Sequence, residues 1–223
     1  MSPNNALQPT AMSPLRGSRA SLAVLGAAGR GRCALGGGKM ARIPSYKALL
    51  KIYEALPDEV KGHFLHVPKL IKGFPHEVAL AYSFLKIEQA QNRALYGGVV
   101  KVHRGEAEFV RRLMTFQHLT RDGFKEIYKN VFGVALTKAT AAKLDTAETI
   151  RDRVVHGKSV DDNEMREAIA DCLEYACLFN ANVSAAAGFK PFGDMRGFKG
   201  RADSLDKRTT KWLMRGLGFG VKA

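Results

Sequence analysis

The chain of 223 residues is poor in cysteine, in metal ligands and in long apolar runs, and each shortage removes a class of protein. Its three cysteines, Cys33, Cys172 and Cys177, include no Cys-x-x-Cys pair and give no disulfide framework. Cys172 and Cys177 stand five apart in a helical pattern, where their side chains diverge. Both read as small buried residues of a protein kept in a reducing compartment, and the expected location is cytoplasmic. No apolar run reaches the ~18 residues that a spanning helix needs, so no membrane partner is expected. His63 and His66 have a spacing that puts two imidazoles on one helical face, but no third ligand completes a set. Neither a metal nor another cofactor is expected. Gly36-Gly37-Gly38-Lys39 resembles part of a phosphate-binding loop, yet Cys33 stands where that loop needs glycine and Met40 where it needs Ser or Thr. His103 and His118 lack a paired carboxylate or nucleophile and read as core or surface residues.

Acidic residues are missing from one region altogether. Residues 1–39 carry five cations and no acids, residues 40–187 carry 21 cations against 18 acids, and residues 188–223 carry nine against three. The net charge of +14 therefore sits at the two ends of the chain. Residues 1–39, rich in Ser, Pro, Gly, Ala and Arg, show no sustained period and are expected to be disordered. Three readings of them stay open: an organelle transit peptide, a signal peptide with its short core at Ala20 to Ala28, or an over-extended reading frame with the biological start at Met40.

From Met40 the pattern is helical, and the 46% hydrophobic content is ordinary for a packed domain. Ser45 caps a helix that runs to Leu56, and a short helical stretch follows from Asp58. Pro75 opens a long helix that Gly97-Gly98 should stop near Tyr96, with β-prone Val99 to Arg104 following as a loop or two-strand excursion. Glu106 to His118 gives another helix on Phe109, Val110, Leu113 and Phe116. Thr120 caps the next, which ends at Gly133. Two long helices complete the set, Lys138 to His156 and Asp162 to Ala187, the second opened by a capping box of Asp161 and Glu164. Their short connection predicts antiparallel packing. The expected fold is an all-α bundle of six or seven helices over residues 40–187, followed by a basic Gly/Phe-rich tail over 188–223. In that tail Leu205, Thr209, Trp212 and Leu213 could form one short amphipathic helix. Its cations and phenylalanines either suit single-stranded RNA or dock on the bundle and complete its core.

The bend between the two long helices carries the densest chemistry. Thr149 to Lys158 packs Arg151, Asp152, Arg153, His156 and Lys158 into ten residues, and Gly157 offers the left-handed position that closes a helix. Arg151 and His156 lie about 140° apart round an ideal helix, so they converge only if the helix unwinds at the histidine. A basic helix end is also favourable on electrostatic grounds alone, by roughly 0.3–1 kcal/mol.

Arg151, a polar residue at Asp152, three further residues and then His156, between two helices of an all-helical chain, resembles the signature of the HEPN superfamily. The resemblance covers the motif and the helical context of residues 76–187. It implies a HEPN-like helical bundle and, in many members, a metal-independent ribonuclease acting as a toxin or in defence against phage. It also implies a homodimer in which the arginine and histidine of two protomers meet. On that reading Arg151, His156 and Asp152 are the catalytic residues, Arg153 and Lys158 bind substrate, and RNA is cut to a 2′,3′-cyclic phosphate and a 5′-hydroxyl. The alternative is a non-catalytic helical module that binds RNA, nucleotide or a protein partner, and some members of the family pair with a nucleotidyltransferase antitoxin.

Overall fold

The computed structural model describes residues 43–117, 119–195 and 203–221. The sequence readings at residues 1–39 and at His118 and Phe198 lie outside them. Among the described residues the chain is all helical, with nine helices and no strand. These are α1 (Tyr46–Glu54), α2 (Asp58–His63), α3 (Val67–Gly73), α4 (His76–Lys101), α5 (Ala107–Met114), α6 (Arg121–Phe132), α7 (Lys138–Val155), α8 (Asp162–Ala187) and α9 (Lys207–Gly216). Eight lie within residues 40–187, against the six or seven expected. The stretch from Asp58 divides because Pro68 falls in the first turn of a separate helix, where its missing N–H costs nothing.

Local caps set most boundaries. The Ser45 hydroxyl accepts the Ala48 N–H, Thr120 accepts Gly123 N–H, and Asp161 accepts the N–H groups of Asn163 and Glu164 while Glu164 reaches back, a complete capping box. Gly133, Gly157 and Gly188 take positive φ just after α6, α7 and α8. The stop expected at Gly97-Gly98 does not occur: α4 continues to Lys101. A β-carbon on Gly97 would lie 2.6 Å from the Phe189 ring, and one on Gly98 would strike Val131 and the Phe132 ring. The two glycines are there so that α6 and the segment after α8 can approach α4. Val99 and Val100, read as β-prone, are buried in its last turns. α5 ends at Met114, short of the expected His118, and Phe116, expected to face inward, is 73% exposed.

α8 is the central element. Across α7 and α8 the contacts pair Thr140 with Asn182, Lys143 with Asp171 and Glu174, and Arg153 with Glu164, so the two helices run antiparallel as their short connection predicts. Against α4 the pairs are His76 with Asp162, Gln91 with Tyr175 and Lys101 with the Gly188 carbonyl, and those two helices run parallel. Leu80, Ile87, Leu95, Ile169, Leu173, Tyr175 and Phe179 fill the space between. Each such side chain contributes ~1.5–3 kcal/mol by leaving water. Cys172 and Cys177 are buried here and form no disulfide, and burial pushes the Cys172 thiol well above its ordinary range.

Among the described residues of the tail, the phenylalanines take the core alternative. Phe189, Phe192 and Phe219 are buried, with Phe192 stacked on Phe64 at 5.5 Å, and α9 turns Thr210 and Met214 inward. Trp212, expected on the inner face of that helix, is 58% exposed.

Candidate functional site at the end of the seventh helix

Thr137 opens α7 by accepting the Thr140 N–H, and Gly157 closes it. Gly157 N–H bonds to the Val154 carbonyl at 3.0 Å and Lys158 N–H to the Arg153 carbonyl at 2.9 Å, the paired bonds of a Schellman cap. The turn that follows is pinned by Arg153, whose guanidinium donates to Glu164 Oε1 at 2.7 Å and to the Ser159 carbonyl at 2.9 Å. The Arg153 hydrogen bond holds the Glu164 carboxyl below the usual carboxylate range. Arg153, read from the sequence as a substrate ligand, is thus engaged in shaping the α7–α8 bend. His156 is the C-cap of α7 and is exposed, as is Lys158.

Every other described histidine has a neighbour. His63 bonds to the Lys86 carbonyl and to Arg93, His66 packs edge-on to Tyr82, His76 faces Asp162, and His103 bonds to the Val131 carbonyl at 2.7 Å. His63 and His66 share no metal set, and no group of three metal-ligating side chains exists among the described residues. His156 alone among the described histidines makes no side-chain hydrogen bond, ion pair or ring contact.

Arg151 points the other way, toward α4. Its guanidinium carbon lies 4.7 Å from the centre of the Phe84 ring, and Nε and one terminal nitrogen donate to Asp152 Oδ1 at 3.1 and 2.8 Å. No contact joins Arg151 to His156 within the chain. Arg151 instead forms part of the wall of a cavity of about 220 Å³ between α4, α6 and α7, floored by Tyr175 of α8. Phe84, Ile87, Phe124 and Leu144 give it apolar walls, and Gln91, Arg121, Lys125 and Glu148 give it polar ones.

The charges round this cavity are paired across helices. Arg121 of α6 meets the nearly buried Glu148 of α7, and Lys125 meets Asp145 at 3.0 Å. Burial raises the Glu148 carboxyl despite the opposing pull of Arg121 and Arg151. Tyr175 is fully enclosed, so its phenol is pushed up, and its oxygen accepts Gln91 Nε2 at 3.0 Å. Arg121, Glu148, Gln91 and Tyr175 were not singled out from the sequence. The one local signal was the run Asp145, Glu148, Asp152 at helical spacing on α7, opposite the i,i+4 pair Arg121 and Lys125 on α6.

Among the described residues, fold and site define an all-helical protein with a basic, glycine-closed helix end and, one turn before it, an arginine that lines a small cavity of mixed polarity. Comparison with family models, with characterised proteins and with solved structures gives no match.

Proposed function

We propose that the chain is a HEPN-like, metal-independent endoribonuclease of toxin or phage-defence type, acting as a homodimer through the Arg151 and His156 ends of two bundles. The observation that carries the reading is His156: an exposed imidazole without a partner, held on a capped helix end five residues after an arginine. Imidazole is the side chain suited to both accepting and returning a proton near neutral pH. His156 takes the proton of a ribose 2′-hydroxyl as that oxygen attacks the adjacent phosphorus. The bond from phosphorus to the 5′-oxygen breaks, and the partner's imidazole protonates the leaving oxygen. The products are a 2′,3′-cyclic phosphate and a 5′-hydroxyl. Arg151 binds the scissile phosphate and offsets the charge that builds on it, and Lys158 contacts a flanking phosphate. One chain supplies one histidine at this end, and the reaction uses an acid and a base. That shortage is the reason for the dimer.

One observation favours a second reading. Arg151 is already held by Asp152 and Phe84, as suits a module that binds RNA, nucleotide or a protein partner without cutting. Incubating the purified chain with total RNA in EDTA separates the two. Cleavage to cyclic-phosphate ends that His156→Ala abolishes supports the enzyme. Equal binding by parent and variant with no cleavage by either supports the module.

A further inference from the structure

We propose that the outer face of α9 is a docking surface for single-stranded nucleic acid, separate from the Arg151 and His156 end and independent of whether that end cleaves. α9 has two opposite stripes. Thr210 and Met214 face the core, with Leu213 partly buried beside them. Arg208, Lys211, Trp212 and Arg215, at i, i+3, i+4 and i+7, share the other side. A helix with this pattern ordinarily keeps an indole inside and cations outside. Here the only tryptophan of the chain is 58% exposed among the cations.

Of these side chains Arg215 is engaged at the end of the helix, its Nε donating to the Val221 carbonyl at 3.3 Å. Lys207, Arg208 and Lys211 have no ion pair among the described residues. The nearest acid in sequence, Asp206, is occupied at the N-cap, accepting Arg208 N–H, Thr209 N–H and the Thr209 hydroxyl. The Arg208 guanidinium lies 5.0 Å from the Trp212 ring centre, over one face of the indole. The exposure of the ring leaves π surface on which a base can stack.

The helix is also held rigidly enough to present this face. Leu205 N–H bonds to the Arg104 carbonyl at 2.8 Å, Glu106 N–H to Thr210 Oγ1 at 3.0 Å, and Gln117 to Gly220 at its far end. These ties align α9 parallel to α5, beside the C-terminal end of α4. Arg151 packs on Phe84, seventeen residues before that end, so the two surfaces lie roughly 25 Å apart along α4.

Phosphates match the cations, and an unstacked base matches the indole. A duplex buries its base faces and offers no partner to Trp212. A bilayer requires an apolar helix face, and the apolar face of α9 is already turned into the core. An acidic peptide matches the charge but leaves the ring without a partner.

The test uses the full chain in EDTA with oligodeoxythymidylate, which lacks the 2′-hydroxyl and so survives any ribonuclease activity. Quenching of the sole tryptophan should saturate with added oligonucleotide. Four phosphates contacted imply a loss of affinity of about 50-fold between about 50 and about 200 mM salt. The variants are read by the anisotropy of an end-labelled oligonucleotide, because Trp212→Ala leaves no tryptophan to quench. Trp212→Ala should weaken binding about tenfold, and the double variant Arg208→Glu, Lys211→Glu should weaken it further and flatten the salt dependence. Trp212 and Arg208 are exposed and Lys211 is half-buried, and unchanged circular dichroism and melting confirm the fold. The proposal is overturned by saturable binding without quenching, by variants that bind like the parent, by absence of binding, or by equal quenching with duplex or polyglutamate. Total RNA left intact while oligodeoxythymidylate binds at α9 removes the enzyme reading and keeps this one. Cleavage of RNA without binding at α9 does the reverse.

Discussion

Single replacements of His156 and Arg151 should separate catalysis from folding, because the structure gives the two side chains unequal structural duties. His156 is exposed and makes no side-chain bond. His156→Ala should therefore change stability by less than about 0.5 kcal/mol, which moves the melting temperature by no more than about 2 °C in a chain of this size. Arg151→Ala removes a guanidinium from the face of Phe84 and an ion pair to a half-exposed Asp152. Those contacts contribute about 0.5–1 kcal/mol and about 0–1 kcal/mol respectively, so melting should fall by roughly 1–8 °C. Each variant should lose cleavage by ~10²-fold or more. Co-purified equal mixtures of the parent and His156→Ala give the decisive measurement. If one reaction uses the histidines of both chains, a mixed dimer is inactive. With random pairing the mixture should keep about a quarter of parental activity, against about half if each chain works alone. Single-turnover cleavage with differential scanning calorimetry reads both effects. Loss of activity in His156→Ala accompanied by a fall of several degrees would show a structural role, and a mixture that keeps half of parental activity would refute a site shared between chains.

Gly98→Ala should destabilise the protein even though alanine is the better helix former. The gain of about 1 kcal/mol in helix propensity is outweighed by about 1–3 kcal/mol of overpacking against Val131 and Phe132, and urea unfolding should show a lower midpoint. Stability should also depend on His63. Burial holds this imidazole below its usual pKa, and Arg93 donates to it while its other nitrogen donates to the Lys86 carbonyl, so the folded state favours the neutral ring. The unfolded chain then binds the proton first. The contribution of His63 is fully present above about pH 6.5 and is lost as the pH falls from there through the lowered folded value. The raised carboxyls of Glu148 and Asp171 act with the opposite sign at lower pH. His63→Gln should therefore be compared with the parent by unfolding at matched pH, where the difference between the two curves must shrink as the solution is acidified.

The ends of α7 and α8 were legible because their signals are local. Gly157 and the Asp161–Glu164 box act within four residues of the backbone they satisfy. Gly97 and Gly98 misled for the complementary reason: their meaning lies in Phe189, Val131 and Phe132, which arrive from other elements. The same holds for α9. Its periodicity was visible, but which stripe faces inward depends on where α5 stands, and Thr210 is buried because the Glu106 N–H needs its hydroxyl. Of the candidate site, the motif and its helix end were readable, whereas the Arg121–Glu148 pair and the Tyr175 floor join residues too far apart in sequence for any spacing to reveal.

The motif divides its charges unevenly, and the division yields a prediction about Asp152. Arg153 is bound twice, by Glu164 and by the Ser159 carbonyl, so drawing it toward a phosphate would release the α7–α8 bend. Arg151 is held by Asp152 through a single carboxylate oxygen, and that carboxylate is half exposed. A pair so open to water contributes only about 0–1 kcal/mol, whereas a phosphate offers the guanidinium two parallel charge-assisted bonds. Asp152 then acts as a weak competitor that keeps Arg151 over Phe84 until a phosphate displaces it. Asp152→Asn removes the competing charge and keeps the shape of the side chain. RNA affinity at the motif should rise by up to about fivefold, the equivalent of about 1 kcal/mol. The measurement is a titration of the His156→Ala chain, with and without Asp152→Asn, against RNA that is not cut. A weaker complex would mean that Asp152 itself supports the substrate, and the displacement argument would fall.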